Sequence, residues 1–255
     1  MAFWKDVFRL PGSNEYEIKF AGNYGAKGEK RALRVKPTPE QIRKQNQRNR
    51  EKKMRRLIKA NFSEGDIWAT LKYPAGTRKE TDEVKKDIRK FLEKVRKLYK
   101  DSGTELKFIL RMEIGARGGI HIHILMNRMK DVDLKIQKAW KQGRVNFSNV
   151  YSAGGYQALA EYIVKEPDTQ SIRQMALFVP EEEQKEYCKY STSRNLIRPV
   201  PERTVYAHRT VRKLVEEGPT PTPGYYIDRD SIVYGVNRFT GMSYLYYTEY
   251  ELDGG

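Results

Sequence analysis

The chain has 255 residues, a formal net charge of +16 and a single cysteine, Cys188. One cysteine excludes an internal disulfide and a cysteine-rich zinc module, and it suits a reducing cytoplasm. No apolar run approaches the ~20 residues that span a bilayer, and the first residues lack the apolar core of a signal peptide, so a soluble, non-membrane protein with a polyanionic partner is expected.

The positive charge is concentrated near the N-terminus. Between Lys27 and Lys59 lie fourteen Lys or Arg against three acidic residues. Thr38 is placed to cap a helix, Pro39 to occupy its first position and Glu40 to face its dipole; the helix is expected over residues 41–60. Its apolar anchors are few (Ile42, Met54, Leu57, Ile58), so residues 1–65 are expected to form a basic arm or helix. Such charge density suits a phosphate backbone, with Arg43, Arg50 and Arg55 as DNA contacts; a merely solvated helix is the alternative.

Residues 66–73 alternate as a strand, with Ile67, Ala69, Leu71 and Tyr73 on one face and Trp68, Thr70 and Lys72 on the other. Residues 79–100 form a helix whose apolar stripe runs from Val84 to Tyr99. Residues 106–114 and 120–126 read as two strands joined by the glycine-rich loop 115–119. A short helix over 131–140, a strand over 144–150 and a helix over 154–166, stopped by Pro167, follow. This order predicts an α+β domain with helices on one face of an antiparallel sheet. Beyond Pro180 a helix over 208–217 and a tyrosine-rich hairpin over 225–250 suggest a β-rich extension. The expected domains are 1–65, 66–180 and 181–255, the last packed on the core.

Two constellations carry chemistry. If loop 115–119 closes a regular hairpin, Glu113 pairs with His121 and Arg111 lies beside His123. Strand alternation puts His121 and His123 on one face, opposite Ile120, Ile122, Ile124 and Met126. Two imidazoles and a carboxylate then converge as a three-ligand metal site with open positions. A bulge in the hairpin would instead move Glu113 to the other face. On the helix over 154–166, the apolar arc comprises Tyr156, Leu159, Ala160, Ile163 and Val164, whereas Tyr162 and Lys165 are i, i+3 neighbours outside it. A tyrosine used for packing belongs inside that arc; an ordinary surface tyrosine beside a lysine is the alternative. Attack by Tyr162 on a phosphate would conserve the energy of the broken bond in a phosphotyrosine, with Lys165 adding positive charge. Trp68, Lys72, Arg111 and Arg117 complete the expected DNA contacts.

In this order, Ile67–Pro74, His121-Ile-His123 and Tyr162-Ile-Val-Lys165 resemble the motifs of the HUH endonucleases, and within them the rolling-circle replication initiators of bacterial phages, plasmids and integrated elements. The resemblance covers roughly residues 66–166, and Tyr190–Pro199 is similar to a segment found downstream in such initiators. It implies a five-stranded antiparallel sheet bearing helices and a Mg²⁺- or Mn²⁺-dependent nick of single-stranded origin DNA in a bacterial cytoplasm. His121 and His123, with Glu113, would be ligands and Tyr162 would be linked to the 5′ phosphate. Ala158 stands where some relatives carry a second tyrosine, implying a single-tyrosine enzyme. No Gly-x-x-x-x-Gly-Lys-Ser/Thr occurs, so unwinding and synthesis would fall to a host helicase and polymerase. A non-cleaving DNA-binding protein on the same fold, or a related relaxase or transposase, is the competing expectation.

Overall fold

The computed structural model describes residues 2–21, 36–115, 117–150, 156–167, 169–237 and 241–252. Residues 22–35 of the expected arm, Ala116 of the hairpin loop and the start of the expected 154–166 helix lie outside the described residues. In chain order, strands β1 (Ala2–Leu10) and β2 (Ser13–Phe20) precede helix α1 (Pro39–Asn61). Then come β3 (Ile67–Lys72), α2 (Thr81–Asp101), β4 (Phe108–Ile114), β5 (Ile120–Met126), α3 (Val132–Ala139) and β6 (Arg144–Asn149). Helices α4 (Gln157–Val164), α5 (Thr169–Ala176) and α6 (Glu181–Gln184) lead to β7 (Tyr190–Thr192) and β8 (Glu202–Ala207). Helix α7 (His208–Glu217) and the hairpin β9 (Tyr225–Asn237) and β10 (Met242–Glu251) end the chain. Among the described residues no helix is long and apolar enough to cross a membrane.

The chain divides into two compact units, Gln45–Ile197 and a second made of Met1–Lys44 with Arg198–Gly255. The first holds a five-stranded antiparallel sheet in the order β6-β3-β5-β4-β7. One face is wholly apolar: Ile122, Ile124 and Met126 pack with Val84, Phe91, Val95 and Tyr99 of α2 and Ile136 of α3. Burying each such side chain contributes about 1.5–3 kcal/mol.

Helices lie on both faces of this sheet, not on one as the pattern suggested. The second face is apolar at one end only. Ile109 and Leu125 lie there, on the same side as Arg111, Glu113, His121 and His123. Met54, Leu57 and Ile58 of α1 and Ala160, Ile163 and Val164 of α4 cover this apolar end and leave the polar end uncovered. Helix α1 begins as expected: Gln41 N donates to Thr38 Oγ1 at 3.3 Å, and Thr38 N to Gln41 Oε1 at 3.0 Å.

The second unit corrects the expected domain division. Residues 2–20 are not an arm but a hairpin in another five-stranded sheet, β8-β1-β2-β10-β9. Phe3, Ile18, Leu245 and Tyr247 pack with Val211 of α7 on its inner face. On β1, Asp6 is buried and bridged by Arg203 Nε at 2.6 Å and Lys19 Nζ at 3.1 Å. The alternating polar residues of β1 are compensated by β8, about two hundred positions later, which no local pattern reveals. Conversely β7, expected in the C-terminal extension, edges the first sheet beside β4.

Candidate active site

The β4–β5 hairpin has the expected register, without a bulge: Ile114 pairs with Ile120, Glu113 with His121 and Arg111 with His123. The loop closes through Gly115 N to Gly119 O at 2.8 Å. Gly118 adopts φ +74°, and a Cβ there would stand 2.5 Å from the Phe178 ring, so this turn requires glycine. On the other side of β5, Thr70 pairs with His123 and Lys72 with His121. Five polar side chains thus share one end of a face whose other end is sealed.

Helix α4 brings Tyr162 to this end. Its hydroxyl donates to Glu113 Oε2 and lies 2.9 Å from His123 Nε2, which is itself 3.2 Å from Glu113. With the hydroxyl hydrogen on Glu113, Nε2 is the donor toward the tyrosine oxygen. Thr70 Oγ1 engages His123 Nδ1 at 3.1 Å and fixes the ring. Trp68 stacks on the same imidazole (centroids 5.6 Å, planes 14° apart) and meets Tyr162 edge-on at 5.8 Å. Trp68 therefore frames the site, which no local signal beyond its strand face indicated.

Burial pushes the Tyr162 phenol up, and the bonded Glu113 carboxylate adds to the shift, so the hydroxyl is protonated in this form. The His123 hydrogen bond, then the Tyr162 hydroxyl, hold Glu113 down at about 2 despite burial. Burial and then the Lys72 ammonium lower His121, leaving a neutral ring at pH 7 with a free nitrogen lone pair.

Arg111 differs most from expectation. It is buried, and its Nη1 donates to the carbonyls of Tyr162 at 3.1 Å and Ile163 at 2.7 Å. The last carbonyls of a helix lack intrahelical partners. Arg111 satisfies two of them on α4, and Gln47 Nε2 a third, on Val164, at 3.2 Å. Its guanidinium holds the tyrosine helix and is not presented to DNA. Lys165, the C-cap of α4, is exposed.

The remaining expected contacts disperse. Arg43 is exposed, Arg50 pairs with Glu166 at the end of α4, and Arg55 is half-buried. Lys72 and Arg117 line a cavity of about 750 Å³ that reaches His121, joined by Arg78 and Arg144, which sequence reasoning missed. Every charged residue lining it is basic.

Among the described residues, no three His, Cys, Asp or Glu side chains are gathered as a metal cage. Glu113 and His123 are in contact; His121 shares their face with its ring centroid 6.1 Å from that of His123. The donor chemistry still fits a divalent ion: a neutral imidazole, a second imidazole oriented by Thr70 and an ionised carboxylate.

An α+β unit that presents a tyrosine hydroxyl to a histidine–carboxylate pair has the chemistry of a phosphoryl-transfer site. Residues 66–167, less than half of the chain, match a family model for replication-associated proteins of the ORF2 type. That similarity supports a replication-initiator role. No curated protein and no solved structure matches.

Proposed function

We propose that the chain is a rolling-circle replication initiator that nicks and rejoins single-stranded origin DNA through a 5′-phosphotyrosine at Tyr162. The observation that carries this reading is the Tyr162 hydroxyl lodged against Glu113 and His123 at the polar end of the sheet face. In the forward step Tyr162 Oη bonds to phosphorus and the bond from phosphorus to the 3′ oxygen breaks. The phenol proton leaves along its hydrogen bond toward the Glu113–His123 pair, and the released 3′ oxygen takes a proton from solvent. The 3′-OH then primes synthesis, and the reverse attack rejoins a strand. Arg111 and Gln47 fix the helix that carries the nucleophile, and Trp68 with Thr70 fixes the imidazole it faces. Lys165 adds positive charge next to Tyr162.

His121, His123 and Glu113 would hold Mg²⁺ or Mn²⁺, which supplies Lewis-acid stabilisation of the charge on the scissile phosphate. The all-basic cavity at His121 would take flanking phosphates, with Lys72 and Arg117 among its contacts. A host helicase and polymerase would complete replication in a bacterial cytoplasm.

The test is incubation of the full chain with labelled single-stranded origin DNA and Mn²⁺, followed by denaturing electrophoresis. A covalent adduct that disappears in Tyr162→Phe is expected. An adduct that persists in that variant sinks the nucleophile assignment; DNA binding with no adduct in the unmodified protein leaves a non-cleaving DNA-binding module.

A further inference from the structure

We infer that the Gln45–Ile197 unit carries a second DNA-binding surface, along α2, which holds double-stranded DNA by its phosphates on the side of the sheet opposite Tyr162. The helix is divided lengthwise. Val84, Ile88, Phe91, Leu92, Val95 and Tyr99 face the sheet. The outward side carries seven Lys or Arg between Lys86 and Lys100, all exposed, against the single exposed carboxylate of Glu93.

None of those seven forms an ion pair with a described residue. Helix lysines and arginines elsewhere do: Lys44 with Glu40, Lys85 with Glu186 and Arg212 with Glu216. Like charges at i, i+4 weaken a helix. Here they recur as Lys86 and Lys90, Lys90 and Lys94, and Arg96 and Lys100. A helix wanting only solubility would interleave acids; this one keeps a repulsion that a polyanion removes.

At the C-terminal end of α2 the stripe runs into an open cavity of about 820 Å³ whose basic lining is Arg96, Lys100 and Arg194. The one carboxylate lining it, Glu105, is engaged by Asn195 Nδ2 at 3.2 Å. Positive charge therefore continues past the helix.

The surface fits a duplex better than a single strand. Single-strand binders combine cations with exposed rings on which bases stack. Both aromatic residues of α2, Phe91 and Tyr99, are buried, so this side has no such ring. A straight rod with cations at each turn over ~21 Å suits a regular backbone carrying roughly one charge per 1.7 Å of axis. The choice of DNA among polyanions rests on the proposed function; the basic surface does not.

The test compares the full chain with the triple variant Lys86→Ala, Lys90→Ala, Lys97→Ala, in which alanine preserves helix propensity. Affinity for a duplex of about 20 base pairs is measured against salt concentration, beside adduct formation on a short single strand. Three lost phosphate contacts should flatten the log–log salt slope by about 2.7 and weaken duplex binding at 0.1 M salt on the order of 10²-fold. Glu93→Lys should steepen the slope by about 0.9. Adduct formation on the short strand should not change in either variant. An unchanged duplex slope, or an equal loss on the short single strand, overturns the inference. Absence of any Tyr162 adduct, with the duplex effect intact, would instead refute the proposed function alone.

Discussion

Replacing Arg111 with Met removes the donors that tie α4 to β4 while keeping most of the buried stem. Hydrogen bonds from a charged donor are worth about 1.5–3 kcal/mol each, and Arg111 makes two, to the carbonyls of Tyr162 and Ile163. Against that stands a buried Nε with no partner, a defect that costs about 1–3 kcal/mol and that Met relieves. The net loss expected is roughly 2–4 kcal/mol. Arg111→Lys keeps the charge but not the fork, so it should fall between. Urea unfolding in a Trp4→Phe background reads the effect, because the remaining tryptophans, Trp68 and Trp140, both belong to the Gln45–Ile197 unit. Adduct formation should slow with little change in the affinity for single-stranded DNA, since the guanidinium positions the nucleophile rather than touching phosphate. Unfolding within ~0.5 kcal/mol of the unmodified protein, combined with a flatter salt dependence of DNA binding, would refute this and return Arg111 to the DNA contacts.

Two further outcomes test the units separately. Gly118→Ala should destabilise by about 1–3 kcal/mol, because it adds a clash with the Phe178 ring to an unfavourable positive φ. Gly65→Ala in the same unit meets only the positive φ, with nothing near its Cβ, and should cost less; equal thermal shifts would refute the clash. In the other unit, burial raises the Asp6 carboxyl, but hydrogen bonds and charge from Arg203 and Lys19 together outweigh it and bring it below 3.8. A folded-state pKa below the unfolded one gives stability that is present above the unfolded value and lost as pH falls through the folded one. Asp6→Asn should therefore be less stable at pH 7 and show a flatter stability profile in acid; parallel profiles from pH 7 down through the carboxylate range would contradict the linkage.

The strands and helices between Ile67 and Val164 were legible because each has a periodic apolar face and a polar one. The hairpin register was legible too, since a five-residue glycine loop leaves one pairing that keeps Ile120, Ile122 and Ile124 together. Tyr162 announced itself by standing outside the apolar arc of its helix. What escaped was whatever depends on partners distant in the chain. Residues 2–20 are charged at alternating positions and look like an extension of the basic arm. They become strands only when β8 and β10 supply Arg203 and the apolar cover.

Arg111 shows why face alone does not assign a role. Its parity on β4 placed it beside His123, and an arginine beside a phosphate-cleaving site suggests a phosphate contact. Yet Ile109 and Leu125 on the same face require a cover, and α4, which provides it, ends with its open carbonyls directly over Arg111. The guanidinium is thus drawn to the helix end by the packing that buries its apolar neighbours. The same division of the face, sealed at one end and polar at the other, leaves Glu113 and His123 uncovered where Tyr162 meets them. Core and site on this face are therefore one packing solution, and a change that loosens α4 at Ile163 or Val164 should displace the nucleophile as surely as one at Arg111.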